Sequence, residues 1–300
     1  MEFVTLGTGG GPAIRLKRSE PANAVIVNGA AYLFDVGEGV QRQMEGAHIA
    51  PASVRAIFIS HHHIDHNGGL APLLITRWLL YSETPIPVIG PPGTVAMVRG
   101  IADAYRATEL APITIGGPPK PPIASSAAPR DLAATMDEPT LVYQDANIRV
   151  LAITNDHYHF GADSESRRVA RSYSYRIEAG GRAIVFTGDT GWSPHVVALA
   201  RGADLLVSEV IDLASIEGQM RAGNAARPAL ALEPLLEHLR QDHLTPEQVG
   251  RLAAEAGVKK VVLTHLGPGF DNDPNTLGYV DGITRFFSGP VVVANDLDRF

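Results

Sequence analysis

The segment SHHHIDHNGG (60–69) places four of the chain's eleven histidines and an aspartate at positions 61–66. His61 and His63 are two apart, so on an extended segment both rings project to the same side and can grip one ion. Asp65 and His66 follow on the turn and point elsewhere. A borderline cation such as Zn²⁺ takes imidazole nitrogens and carboxylate oxygens at about 2.0–2.2 Å, so two pairs splayed from one turn make two half-sites. Two ions need more ligands and a shared carboxylate, because metals ~3.5–4 Å apart clamp both the attacking and the leaving oxygen of a displacement. Asp189 in FTGDTG is a strand-end carboxylate between glycines and suits that bridge; His157 and His265 are the remaining strand-end imidazoles. His159 shares a face with His157 if that strand continues and is the alternative ligand; His157 is preferred because NDH directly ends the apolar run. The chemistry expected of such ions is hydrolysis, since as Lewis acids they lower the pKa of a shared water and make hydroxide available at neutral pH.

These residues need strands to present them. EFVTL reads as a strand, and NAVIVNGAAYLFDVG as two strands joined by the hairpin signal Asn28-Gly29. VRAIFIS (54–60) is a β-rich run ending where the histidines begin, and Leu70, Leu73, Leu74, Trp78 and Tyr81 then recur at helical spacing. Seven prolines in 112–140 exclude a regular element there and suggest a surface insertion or lid. Beyond it come the strand NIRVLAIT (147–154), the hairpin SYSYRIEAGGRAIVFTG, the helix SPHVVALARG and the strand ADLLVSEV. Thr245, Pro246 and Gln248 form a capping box for a helix closed by Gly257, followed by the strand KKVVLTH. Each chemical motif thus falls just after a strand, where α/β architectures converge their reactive groups.

HHHIDH fits H-x-H-x-D-H, and with GTGGGP, DVGEG, FTGDT and LTHLGP in that order the chain resembles the metallo-β-lactamase fold superfamily, in its ribonuclease Z-like branch. The resemblance spans nearly the whole chain. It implies a four-layer αββα sandwich, two mixed β-sheets flanked by helices, as one domain over residues 1–300 built of two pseudo-repeated halves. It implies that His61, His63 and His157 hold one metal and Asp65, His66 and His265 the other, with Asp189 bridging, and that Asp35 of FDVGEG supports a ligand histidine through its far ring N–H. Two Zn²⁺ are the expected cofactors, with Mn²⁺ or Fe²⁺ as alternatives. Glu209 in SEV and His243 in RQDHLTPEQVG match the branch's glutamate–histidine pair, whose histidine protonates the leaving oxygen of a phosphodiester. Asp65 joins them as a catalytic residue, since its replacement by alanine should abolish turnover.

Other histidines and basic residues have plainer readings. His62 points away from the ions, His195 and His238 lie in helices and His48 in a loop, where solvation or packing is the default. GTGGGP opens no helix and carries no Lys-Ser/Thr, so it is a tight loop beside the site rather than a phosphate loop. Arg167, Arg168, Arg171 and Arg176 could bind an anion, yet such runs are commonly solvated faces.

Asp189 and the absence of cysteine argue against dedicated lactam hydrolysis, and His63, where di-iron oxygen reductases carry glutamate, argues against redox chemistry. Phosphodiester hydrolysis is the expected activity, with lactone, ester or β-lactam hydrolysis as runner-up and a non-catalytic metal-binding scaffold as the reading from another class. A net charge of −7 makes the chain no general magnet for polyanions, and 112–140, taken as the counterpart of the substrate arm of ribonuclease Z, carries only Lys120 and Arg130. A small-molecule or phosphodiester substrate is therefore favoured over nucleic acid, and the resemblance implies a homodimer. No run approaches the ~20 apolar residues of a membrane span. MEFVTLGTGG lacks the marks of an export signal, so a cytoplasmic location is expected, although a precursor already trimmed would read the same.

Overall fold

The structure is a computed structural model and describes residues 1–80, 84–111, 120–161, 163–224, 232–269 and 276–300. Its first half runs β1 (Glu2–Gly7), β2 (Ala22–Val27), β3 (Ala30–Val36), α1 (Val40–Gly46), β4 (Val54–Phe58), α2 (Ile64–Asn67), α3 (Leu70–Leu80), β5 (Ile86–Gly90), α4 (Thr94–Ala104), α5 (Arg106–Glu109) and β6 (Ala127–Asp131). The second runs β7 (Thr140–Gln144), β8 (Arg149–Thr154), α6 (Glu165–Val169), β9 (Tyr173–Ala179), β10 (Arg182–Phe186), α7 (Pro194–Ala200), β11 (Leu205–Ile211), α8 (Leu213–Asn224), α9 (Leu232–Asp242), α10 (Pro246–Ala256), β12 (Val261–Gly267), α11 (Thr276–Thr284) and β13 (Val291–Val293).

Each half builds one mixed sheet. In the first, β1 to β3 are antiparallel and β3 to β6 parallel. In the second, β7 to β10 are antiparallel and β10 to β13 parallel. The hairpin residues Asn28 and Gly29 both take positive φ, 51° and 78°, the backbone that a two-residue turn between right-twisted strands demands.

β3 is buried along its whole length because it feeds two cores. Tyr32 and Phe34 face the second sheet, whereas Ala31 and Leu33 face helices, as a period of two requires. Between the sheets Phe34 stacks on Phe58 at 4.7 Å, and Tyr175 of the opposite sheet meets Phe58 edge-on at 5.7 Å. α1, α3 and α4 bury Met44, Leu73 and Val98 on the outer face of the first sheet. α7, α10 and α11 bury Leu199, Leu252 and Ile283 on that of the second. The result is a four-layer αββα sandwich. Among the described residues no helix is long and apolar enough to cross a membrane.

The proline-rich segment departs from expectation. Residues 112–119 and Tyr81 lie outside the described residues. Residues 127–131 are not irregular but form β6, paired parallel with β5 at the edge of its sheet. An edge strand tolerates Pro129 because one side of its backbone needs no ladder partner. Trp78 also donates its indole N–H to the carbonyl of Pro121 at 2.8 Å, which ties Pro121 to α3.

Candidate metal centre

The strand ends converge their polar side chains on one buried point. The ligand atoms of His61, His63, His157 and Asp189 lie within 4.8 Å of one another, and so do those of Asp65, His66 and His265. Asp189 lies between the two groups: its Oδ2 is 3.9 Å from His61 Nε2, 3.3 Å from His66 Nε2 and 3.2 Å from His265 Nε2.

The outer nitrogens of the imidazoles are held, which aims the inner ones. Asp35 Oδ2 accepts from His66 Nδ1 at 2.7 Å and from the Ser60 hydroxyl at 2.7 Å. Having donated that proton, Ser60 Oγ accepts from His61 Nδ1 at 3.0 Å. His157 Nδ1 donates to the main-chain carbonyl of Asp242 at 2.9 Å. In all three residues Nε2 is left with its lone pair toward the centre, the arrangement that orients metal-ligating histidines.

His265 reaches the centre by a different device. The strand KKVVLTH does not stop at His265, because β12 continues to Gly267. Across the β11–β12 pairing Glu209 opposes two residues, Thr264 and His265, because Ser208 pairs Leu263 and Val210 pairs Leu266. His265 takes φ 45° in this bulge, and the kink re-aims its ring at the cluster. The Gly9–Gly11 loop packs on the opposite side: Gly11 N–H donates to Asp65 Oδ2 at 3.1 Å, and a Cβ on Gly11 would lie 2.2 Å from that of Asp65.

Burial pushes His61, His63 and His157 below the ordinary imidazole range, keeping them in the neutral form that binds metals. Burial opposes ionisation of Asp189, but His265, His66 and His61 outweigh it and hold the carboxyl well below the usual range. Burial likewise opposes charge on His66, which the surrounding Asp189, Asp65 and Asp35 nevertheless raise.

The donor set suits a divalent metal. Nε2 of His61 and His66, both ring nitrogens of His265 and Oδ1 of Asp189 are buried without a hydrogen-bond partner. Such orphaned atoms are costly unless a cation takes their lone pairs. Imidazole and carboxylate donors without thiolate fit Zn²⁺, Mn²⁺ or Fe²⁺.

Glu209 and His243, with Asp189 and His265, form a further group spaced closely enough to hold an ion. Their bonding argues for a different role. Glu209 Oε1 accepts from Thr190 N–H at 2.6 Å and Oε2 from His243 Nδ1 at 2.7 Å, so both carboxylate oxygens are already engaged. Burial opposes charge on His243, yet Glu209 beside it raises its pKa to about 9. Burial pushes Glu209 up against the pull of that imidazole.

Other histidines lie outside the cluster. His159 donates to the Asp242 carboxylate and is half-exposed rather than joining His157. His62 turns toward Thr94, His195 toward the carbonyl of Thr154, and His48 is exposed. Arg167, Arg168 and Arg171 are spent on main-chain carbonyls, and Arg176 on carbonyls and Glu178. Sequence reasoning missed Asp242 and His238: the His238 Nδ1 donates to Asp242 Oδ2 at 2.5 Å, and its ring lines the cleft beside His63 and His243. The i, i+4 spacing of His238 and Asp242 on α9 was the available signal.

Known proteins resemble this chain in fold and sequence. Residues 31–266 match the family model described as the beta-lactamase superfamily domain. The chain belongs to that superfamily and is a metal-dependent hydrolase of the metallo-β-lactamase fold. Within it the chain is 29% identical to ribonuclease Z of Mycolicibacterium paratuberculosis, over all of this chain and 97% of that one. It is 31% identical to ribonuclease Z of Mycobacterium sp. strain KMS, over 89% of this chain and 85% of that one. The crystal structure of human tRNase Z, short form, superposes with a TM-score of 0.68 at 22% identity, over 100% and 98% of the two chains.

Proposed function

We propose that this chain is a dinuclear phosphodiesterase of the ribonuclease Z-like group, with zinc as the favoured ion. His61, His63 and His157 would hold one ion and Asp65, His66 and His265 the other, with Asp189 bridging. Bound there, the ions supply Lewis acidity and ionise water at neutral pH.

The observation that carries the reading is the buried Glu209–His243 pair, 2.7 Å apart and on the wall of the cleft that holds Asp189 and Asp65. An alkoxide leaving a phosphodiester needs a proton donor at the leaving oxygen, and the pair supplies one. Glu209 fixes the imidazole with Nδ1 donating, so Nε2 is the atom that would deliver a proton to the leaving oxygen. Asp35, Ser60 and the Asp242 carbonyl keep the three ligand rings from turning.

The preference for a small substrate over nucleic acid gains no support from relatives named ribonuclease Z, so both belong in the test. Metal-analysed protein would be assayed on bis(p-nitrophenyl) phosphate, an RNA with a 3′ extension, an acyl-homoserine lactone and nitrocefin. The phosphodiesters should be hydrolysed, and His243→Ala should slow the RNA, whose leaving group is an alkoxide, at least about a hundredfold while metal content holds, and bis(p-nitrophenyl) phosphate, whose nitrophenolate departs without a proton, far less. Turnover of the lactone or lactam alone would overturn the reading; bound metal without turnover of any substrate would favour the scaffold. One working unit over residues 1–300 and a homodimer complete the proposal, and light scattering at several concentrations tests the dimer.

A further inference from the structure

Beside the cluster lies a cavity of about 600 Å³ whose far wall is built by α8 and α9. We propose that this cavity is a subsite for a non-polar ester group, alkyl or aryl, of the substrate; the proposal rests on the phosphodiesterase reading above.

Three observations support it. First, the cavity is continuous with the reacting centre, since Asp65, Asp189, His243 and His265 line its inner end. A group placed there is attached to the atom being attacked. Second, its outer walls are mostly apolar, with Gln219 and His238 as the polar residues that the two helices add. α8 presents Ile216 and Met220, and α9 presents Leu235 and Leu239, each pair four residues apart on one helix face, while Ile64 closes the side nearest the ligands. Ile64 is 63% exposed and Leu235 36%, so apolar surface faces the cleft rather than the core. Its volume falls in the range of small-molecule pockets.

Third, the described residues of the helical pair offer no track for a polyanion. The described residues of α8 and α9 carry two arginines, Arg221 and Arg240, against four carboxylates, Glu217, Glu233, Glu237 and Asp242. Arg221 pairs with Glu217 at 2.7 Å and Glu233 at 3.0 Å, and Arg240 with Glu217 at 3.3 Å. Arg15 is the only arginine or lysine among the described lining residues. A nucleic-acid strand follows unneutralised Lys and Arg along its backbone. A single phosphodiester anion with a greasy substituent needs one charged end and one apolar end, as the lining provides.

The test uses dimethyl and dibutyl phosphate, which carry the same charge and differ in methylenes, titrated calorimetrically into metal-loaded protein. Dibutyl phosphate should bind at least about tenfold more tightly, with a more negative heat-capacity change. Leu239→Ser and Met220→Ser, on separate helices, should each cut the dibutyl-to-dimethyl ratio at least about threefold, and Met220→Leu should restore it. Equal affinities, or a dinucleoside monophosphate binding more tightly than dibutyl phosphate, would overturn the subsite. Turnover of bis(p-nitrophenyl) phosphate is read separately: hydrolysis with equal affinities removes the subsite and keeps the reaction, and the dibutyl preference without hydrolysis does the reverse.

Discussion

The ring N–H of His157 and the main-chain carbonyl of Asp242, 85 positions apart in sequence, meet at 2.9 Å. The carboxylate of the same aspartate receives Nδ1 of both His159 and His238. One residue at the end of α9 therefore orients a ring of the metal cluster and a ring of the cleft. Asp242→Ala would leave two imidazole N–H groups without their acceptor and loosen the carbonyl that His157 needs. Metal affinity, measured by chelator competition, should fall about tenfold or more, the usual cost of losing an outer partner of a ligand. His159→Ala should cost less, because that ring is half-exposed. Unchanged affinity in Asp242→Ala would show that other contacts hold the end of the helix.

Asp35 is the acceptor for His66 Nδ1 and for both the N–H and hydroxyl of Ser60. Asp35→Asn would replace one acceptor oxygen by an amide donor facing a ring N–H or the hydroxyl. A 10- to 100-fold weaker hold on metal is expected. Elemental analysis after dialysis, with circular dichroism to confirm folding, would check it.

Chelation should destabilise the protein as well as silence it. A ligand that binds only the folded chain adds about 2.7 kcal/mol at a hundred times its dissociation constant. Stripping the ions would also return the unpartnered nitrogens of His61, His66 and His265 to an unsatisfied state. The midpoint of thermal unfolding should drop by several degrees with chelator and recover on adding Zn²⁺; identical midpoints would argue that the cluster holds no metal tightly.

Gly11 packs so closely on Asp65 that an added methyl would overlap its side chain, with 2.2 Å between the two Cβ atoms. Gly11→Ala should displace either the loop or Asp65. Turnover should fall at least about tenfold with a stability loss of roughly 1–3 kcal/mol, the cost of overpacking, read from activity and urea unfolding.

A pH effect separable from the metal cluster lies at Asp145. Burial opposes its ionisation, but the hydroxyls of Tyr32 and Tyr143 and the N–H groups of Asn147 and Ile148 outweigh burial and hold its pKa below the usual carboxylate range. A pKa lowered by folding contributes stability that is present above the unfolded value, near 4, and lost as pH falls through the folded value. Asp145→Asn should therefore cost about 1 kcal/mol at pH 7, and its deficit against the parent chain should shrink below pH ~4. A deficit constant from pH 7 to 3 would contradict this account.

Much of the architecture was legible because it is written in local chemistry. The Asn28-Gly29 hairpin, the Thr245–Gln248 capping box with Gly257 at its close, and the apolar face of α3 each depend on residues within a few positions of one another. The resemblance drawn from five motifs supplied the order of the strand-end side chains. β6 escaped notice because its pairing with β5 comes from a distant part of the chain and overrides the reputation of proline. α9 was visible as a helix, but which face it turned to the cleft was not.

The sequence alone determined which chemical groups were present and on which local elements: imidazoles and carboxylates at the ends of strands, and turns and caps whose backbone needs are met by near neighbours. The tertiary structure decided which of them meet. The bulge that turns His265 inward, the choice of His157 over His159, and the union of three histidines on Asp242 follow from strand register and helix docking. Those are set by burial summed over whole layers, and no window of sequence contains that sum.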